Sequence, residues 1–247
     1  MNKIRISAVS YTNTKPFLYG IQNSAIKDLI ELSVDNPSDC AQKLIDNKAD
    51  IGLIPVAATL SLPDWEIISD YCIGANGAVN SVFIFSNCDI RAVKKVQLDP
   101  QSRTSNNLAR VLLKNFWQIQ PELIADAADY GTSNENETAF VQIGDRTFGK
   151  TSQYPYVYDL SEEWYKYTGL PFVFAAWIAN KPIPQAFVDQ FNAALNFGLN
   201  HRTELLKDLP ERNDFDLKDY LFNKLDFKLT QDKRVALQLF LDQVKAL

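Results

Sequence analysis

The sequence predicts an α/β protein folded as two lobes, with two strands crossing between them as a hinge and a cleft where they meet. Three observations carry this prediction. Apolar strand-like runs alternate with helix signals through the first 85 residues, a second alternating series begins after Phe85, and an almost wholly apolar run at 172–178 leads into a helical C-terminal segment. At 247 residues and 46% apolar, the chain can bury one large core or two lobes of about 100 residues each.

The elements follow in order. Strands are expected at 4–9, 30–34, 51–56 and 79–85, each largely apolar and flanked by Gly, Asn, Asp or Pro, and their alternation with helices implies a parallel sheet. Pro16 suits a first helical position, and Ser38 suits a cap ahead of Ala41, Leu44 and Ile45. Beyond Ser86-Asn87-Cys88-Asp89, the second series reads strand 96–99, helix 106–117, strand 140–143 and helix 161–167. The strand at 172–178 is expected to cross back, followed by helices near 185–207, 216–223 and 231–245, the last capped by Thr230. Lobe one would then comprise 1–85 and 176–247, and lobe two 86–175.

Composition excludes several classes of function. With a net charge of −5 and no basic run beyond pairs such as Lys94 and Lys95, there is no footprint for nucleic acid. The N-terminus places Lys3 and Arg5 where an export signal would need an apolar stretch. The apolar run at 170–179 is too short to span a bilayer and contains Pro171. A cytoplasmic protein with no membrane partner is therefore expected. Cys40, Cys72 and Cys88 lack paired spacing and the sole histidine, His201, lies far from them, which argues against a disulfide framework or a zinc site. No cofactor or metal is expected.

Polar clusters sit where strands end. Ser10-Tyr11-Thr12-Asn13-Thr14-Lys15-Pro16 follows the first strand, at the carboxyl edge where open α/β sheets bind ligands. In Asp99-Pro100-Gln101-Ser102-Arg103-Thr104-Ser105, a strand end runs into hydroxyls that open a helix; they either cap it or help its free N–H groups hold an anion. The segment from Gly74 to Val82 brings Ser81 to the first crossing strand, either facing the cleft or simply satisfied within the strand, and no Lys follows to make a P-loop. Ile143-Gly144-Asp145 ends another buried strand, with Asp145 either capping a helix or accepting a hydroxyl across the cleft. Among the many aromatic residues, Trp177 alone is a candidate cleft lining, and core packing is the default for the rest. His201, beside Arg202 in a helical region, reads as a surface residue, so a histidine base near the cleft is not expected.

Taken in order, the 10–16 cluster, Cys72-Ile73-Gly74 to Ser81-Val82, Ser102-Arg103-Thr104-Ser105 with Arg110-Val111-Leu112-Leu113, Ile143-Gly144-Asp145 and Thr168-Gly169-Leu170-Pro171-Phe172 to Trp177 resemble the chorismate dehydratase family. The resemblance runs from residue 4 to about 180. It implies a fold like type II periplasmic binding proteins, adapted to catalysis in the cytoplasm. It also implies the first reaction of the futalosine route to menaquinone, loss of water from chorismate to give 3-[(1-carboxyvinyl)oxy]benzoate. Two departures stand out: Thr12, where that family usually carries Leu, and Arg146-Thr147-Phe148, where small or aliphatic residues are commoner.

On that resemblance, Asn13 is the first choice for the catalytic residue, with Ser81 positioning the reacting group. The two carboxylates of the substrate fall to Thr104 and Ser105 and to donors around Ser10, Tyr11 and Ser81, with Gly144 and Asp145 across the cleft. Lys15 and Arg103 are the nearest cations. Lys15 either contacts ligand or points to solvent, and Arg103 either contacts ligand or pairs with Asp99. Two other readings use the same fold: a solute-binding protein for a small organic anion, and the sister enzyme that makes 1,4-dihydroxy-6-naphthoate, in which a cleft histidine is expected.

Overall fold

The computed structural model describes residues 3–132 and 136–247. Strand β1 (Ile4–Val9) ends in a 3₁₀ turn over Thr12–Thr14 and helix α1 (Lys15–Gln22), whose first turn contains Pro16. β2 (Ile30–Asp35), α2 (Pro37–Ile45), β3 (Ile51–Pro55) and β4 (Glu66–Ala75) follow. The cap of α2 is Asn36, ahead of Pro37 in the first turn, so Ser38 lies inside the helix. Proline takes the first turn because its missing N–H is not needed there.

The second lobe comprises β5 (Val82–Ser86), β6 (Lys95–Gln97), α3 (Arg103–Val111), β7 (Glu122–Ile124), β8 (Thr138–Ile143), β9 (Tyr156–Asp159) and α4 (Leu160–Thr168). Helix α3 starts three residues before the expected 106 because Ser102 caps it, its hydroxyl accepting from the Ser105 N–H at 3.1 Å. The chain then returns through β10 (Phe172–Ala179) to α5 (Gln185–Asn200), α6 (Arg202–Asp208), α7 (Leu217–Asp219) and α8 (Gln231–Lys245), with Thr230 capping α8.

Two five-stranded sheets result, ordered β2-β1-β3-β10-β4 and β7-β6-β8-β5-β9. Neither is purely parallel. β1 runs parallel to β2 and β3, and β6 to β7 and β8, whereas β10 and β5 are antiparallel to their neighbours. The reason is connectivity: β5 and β10 each come from the other lobe, so each enters its sheet at the carboxyl edge of the parallel strands and must run against them. All of β5 lies in the second sheet and all of β10 in the first, so the crossings fall at 76–81 and 160–171, not at 85/86 and 175/176.

The buried carboxyl of Asp159 ties the crossings together. It accepts from the Asn80 N–H at 2.7 Å on the outgoing segment, and from Ser161 and Glu162 N–H groups at 3.0 and 3.2 Å at the start of α4. In lobe one, α1 and α5 cross with their backbones in contact. A Cβ on Gly20 would fall 2.0 Å from the Ala194 carbonyl oxygen, and one on Gly198 1.9 Å from that of Pro16. Among the described residues, no helix is long and apolar enough to cross a membrane, and no cluster of His, Cys, Asp and Glu could hold a metal ion.

Candidate active site

The carboxyl edges of the parallel strands face each other, and between them lies a hollow of about 550 Å³, counting its opening. Lobe one contributes Tyr11, Asn13 and Thr14 from the turn after β1, and Ile73 and Val79 from β4 and the outgoing crossing. Lobe two contributes Ser81, Ser102, Thr104, Ser105 and Gly144, while Phe174 and Ala175 of β10 close one wall. None of these lining residues carries a charge.

The hydroxyls are held by groups behind them. The Thr104 hydroxyl accepts from the Ala57 N–H of the other lobe at 3.1 Å, and that of Ser81 accepts from the buried Tyr220 phenol at 2.9 Å. A hydroxyl that accepts from behind keeps its own O–H available to donate, so the cleft offers neutral donors. The first N–H groups of α3 add to it, since the N-terminus of a helix carries partial positive charge. Asn13 receives the Thr14 hydroxyl on its carbonyl oxygen at 3.2 Å, which leaves its NH₂ free to donate.

Several expected residues lie elsewhere. Asp145 does not line the hollow: its carboxylate accepts from the Thr12 N–H at 3.1 and 3.2 Å and from the Thr12 hydroxyl at 2.8 Å, latching lobe to lobe. Ser10 is exposed, because the chain turns outward there before the 3₁₀ turn brings Tyr11 and Asn13 back. Lys15 faces a separate outer hollow beside Asp145 and Arg212. Arg103 is half-buried on the first turn of α3, outside the lining, and it is Arg146 that pairs with Asp99, at 2.7 Å. Trp177 is wholly buried, edge-on to Phe17 and Phe191 at 5.9 and 4.9 Å, because the cleft ends at Ala175 and the strand beyond it serves the core. His201 stacks on Phe197 at 3.9 Å, away from the cleft.

The two departures from the resembled family meet at this seam. Thr12 supplies the latch to Asp145. Arg146 and buried Asp99 form a cluster with the Ile143 N–H, the Gln101 N–H and the Tyr130 hydroxyl, at 3.0, 2.8 and 3.1 Å from Asp99. Tyr11 reaches across to bond the Gln101 side chain, and burial pushes its phenol up while Arg146 pulls it down. The Tyr11 ring lies against Gly144, whose φ of +65° suits glycine and whose added Cβ would sit 3.0 Å from the ring.

Sequence reasoning missed Thr14, Ser102 and Tyr220 as site residues. The first two were within motifs already singled out. Tyr220 carried no local signal, as it reaches Ser81 from 139 residues away.

A family model described as menaquinone biosynthesis matches residues 4–246. Among solved structures, protein AF1704 of Archaeoglobus fulgidus is similar with a TM-score of 0.74 at 13% identity, covering 99% of this chain and 97% of that one. The CA3427 gene product of Candida albicans, described as exhibiting the generic periplasmic binding protein structural fold, gives 0.70 at 11% identity over 100% and 91% of the two chains. The alkanesulfonate-binding protein SsuA of Xanthomonas axonopodis pv. citri, bound to MOPS, gives 0.62 at 16% over 99% and 92%. At these identities the likeness establishes the two-lobed periplasmic-binding-protein fold, and the family match does the rest: this chain belongs to the menaquinone biosynthesis family.

Proposed function

We propose that the protein is a chorismate dehydratase, removing water from chorismate to give 3-[(1-carboxyvinyl)oxy]benzoate. One observation carries the reading: an interlobe cleft whose polar lining, Tyr11, Asn13, Thr14, Ser81, Ser102, Thr104 and Ser105, consists wholly of neutral hydrogen-bonding groups. A dianion that aromatises on losing C3–H and C4–OH needs orientation and exclusion of water more than it needs a strong base.

The site residues are assigned accordingly. The N-terminus of α3, with Thr104 and Ser105, takes one carboxylate. Asn13 and Ser81 orient the ring and the second carboxylate, and that carboxylate removes the C3 proton. The C–H pair becomes the new ring double bond, the C4–O bond breaks, and the departing hydroxide takes the proton held by that carboxylate and leaves as water. An amide is too weak a base for the first step, so Asn13 serves as a donor to developing charge. The sister activity is disfavoured by the position of His201, stacked on Phe197 outside the cleft.

The test is purified protein mixed with chorismate, followed by the aromatic ultraviolet absorbance of the product. Asn13→Ala should lower kcat by about 10²–10³-fold with a much smaller change in affinity. Chorismate bound without turnover would favour a solute-binding role, and chorismate left unbound and unconverted would overturn the reading.

A further inference from the structure

Tyr220 stands behind the cleft and outside its lining, with its ring wholly buried. It opens a wide π-turn over Tyr220–Lys224 that continues α7, an uncommon geometry that proteins often place at functional sites. Its ring is clamped edge-on by Phe148 and Phe215 at 5.5 and 5.3 Å, two rings that stack on each other at 3.7 Å. The turn is held from lobe one by Arg202, which donates to the Leu221 carbonyl at 2.7 Å. Phenylalanine would fill this aromatic box equally well, so packing alone does not account for the hydroxyl.

That hydroxyl donates to the Ser81 oxygen at 2.9 Å, and the Asn13 side chain lies beside the phenol. Both neighbours are proposed above to touch substrate. The donors then run in one direction, Tyr220 to Ser81 and Ser81 to the cleft. Burial pushes the phenol up, so it stays protonated and keeps donating across the physiological range.

We propose that Tyr220 is a positioning residue that fixes the Ser81 hydroxyl as a donor to the ligand. This rests on the dehydratase reading. Without the phenol, the Ser81 O–H can turn back into the protein, and the oxygen that gains negative charge during elimination loses a preorganised partner.

The experiment is a double-mutant cycle on chorismate turnover, using wild type, Tyr220→Phe, Ser81→Ala and the double variant, with thermal unfolding measured on each. Tyr220→Phe should lower kcat about tenfold with KM within about twofold, and should cause no further loss in the Ser81→Ala background. An equal loss in both backgrounds marks a merely structural hydroxyl and overturns the proposal, as does unchanged kcat. If Tyr220→Phe does not fold, 3-fluorotyrosine at position 220 replaces it. It keeps the ring and the donor, and should alter kcat only when Ser81 is present; an equal effect in the Ser81→Ala background overturns the proposal. Failure of the wild type to convert chorismate overturns the parent reading instead, so the two failures are distinct.

Discussion

Replacing Asp145 by alanine should unlatch the lobes. Its carboxylate is the acceptor for both the N–H and the hydroxyl of Thr12, at 2.8–3.2 Å. Hydrogen bonds to a charged acceptor contribute about 1.5–3 kcal/mol in buried settings. This pair is partly exposed, so a total of about 2 kcal/mol is reasonable, or roughly a 30-fold shift in the ratio of closed to open protein. Other interlobe contacts, among them Thr104 to Ala57, Tyr11 to Gln101 and Ser81 to Tyr220, then work against a larger opening bias. Small-angle scattering without ligand should report a radius of gyration above the roughly 18 Å of a compact chain of this length. Chorismate affinity should fall by up to about 30-fold, because only the closed fraction binds. Thr12→Val, which retains the N–H, should cost only a few-fold. A radius and an affinity both equal to wild type in Asp145→Ala would refute the latch.

Two other substitutions probe the scaffold around the cleft. Gly144→Ala forces a methyl into a backbone at φ +65° and against the Tyr11 ring at 3.0 Å. A cost of about 1–2 kcal/mol follows from the left-handed conformation, so calorimetry should show Tm lower by roughly 2–8 °C, with weakened ligand binding as Tyr11 moves. Asp159→Asn should change the pH dependence of stability. Burial pushes the Asp159 carboxyl up to about 6 from 3.8, so as pH falls the folded state takes up this proton before the unfolded chain does. Asp159 therefore adds stability as pH drops from about 6 to about 4 and withholds it above 6, an effect on the order of 3 kcal/mol. The difference in unfolding free energy between wild type and Asp159→Asn should vary across that window, and a flat difference would show that the carboxyl does not titrate there.

Much of the architecture was legible because the parts that bury on both faces write long apolar runs. β1, β3, β8 and β10 lie within a few residues of their expected places for that reason. β4 was not anticipated: Ser69, Asp70 and Tyr71 interrupt its pattern, since it carries polar side chains toward α5, where Ser69 meets Asn192 at 2.8 Å. The lobe boundary falls before β5 and not after it because the run 79–85 reads as one strand of the first series, and only pairing distinguishes a strand of one sheet from a strand of the other.

The site divided along a similar line. Asn13, Ser81, Thr104, Ser105 and Gly144 sit at strand ends or a helix start, and chain direction alone sends such positions to the carboxyl edge of a sheet. Asp145 and Trp177 occupy equally suggestive places, yet one bonds the opposite lobe's Thr12 and the other lies in the core beyond the end of the cleft. Sequence by itself determined the α/β class, the two alternating series, the neutral polar clusters and the family. Only tertiary structure decided which clusters share a hollow, that Asp145 latches it, and that Tyr220 comes to stand behind Ser81. Contacts between residues far apart in the chain depend on how two lobes close, and no local pattern of side chains encodes that distance.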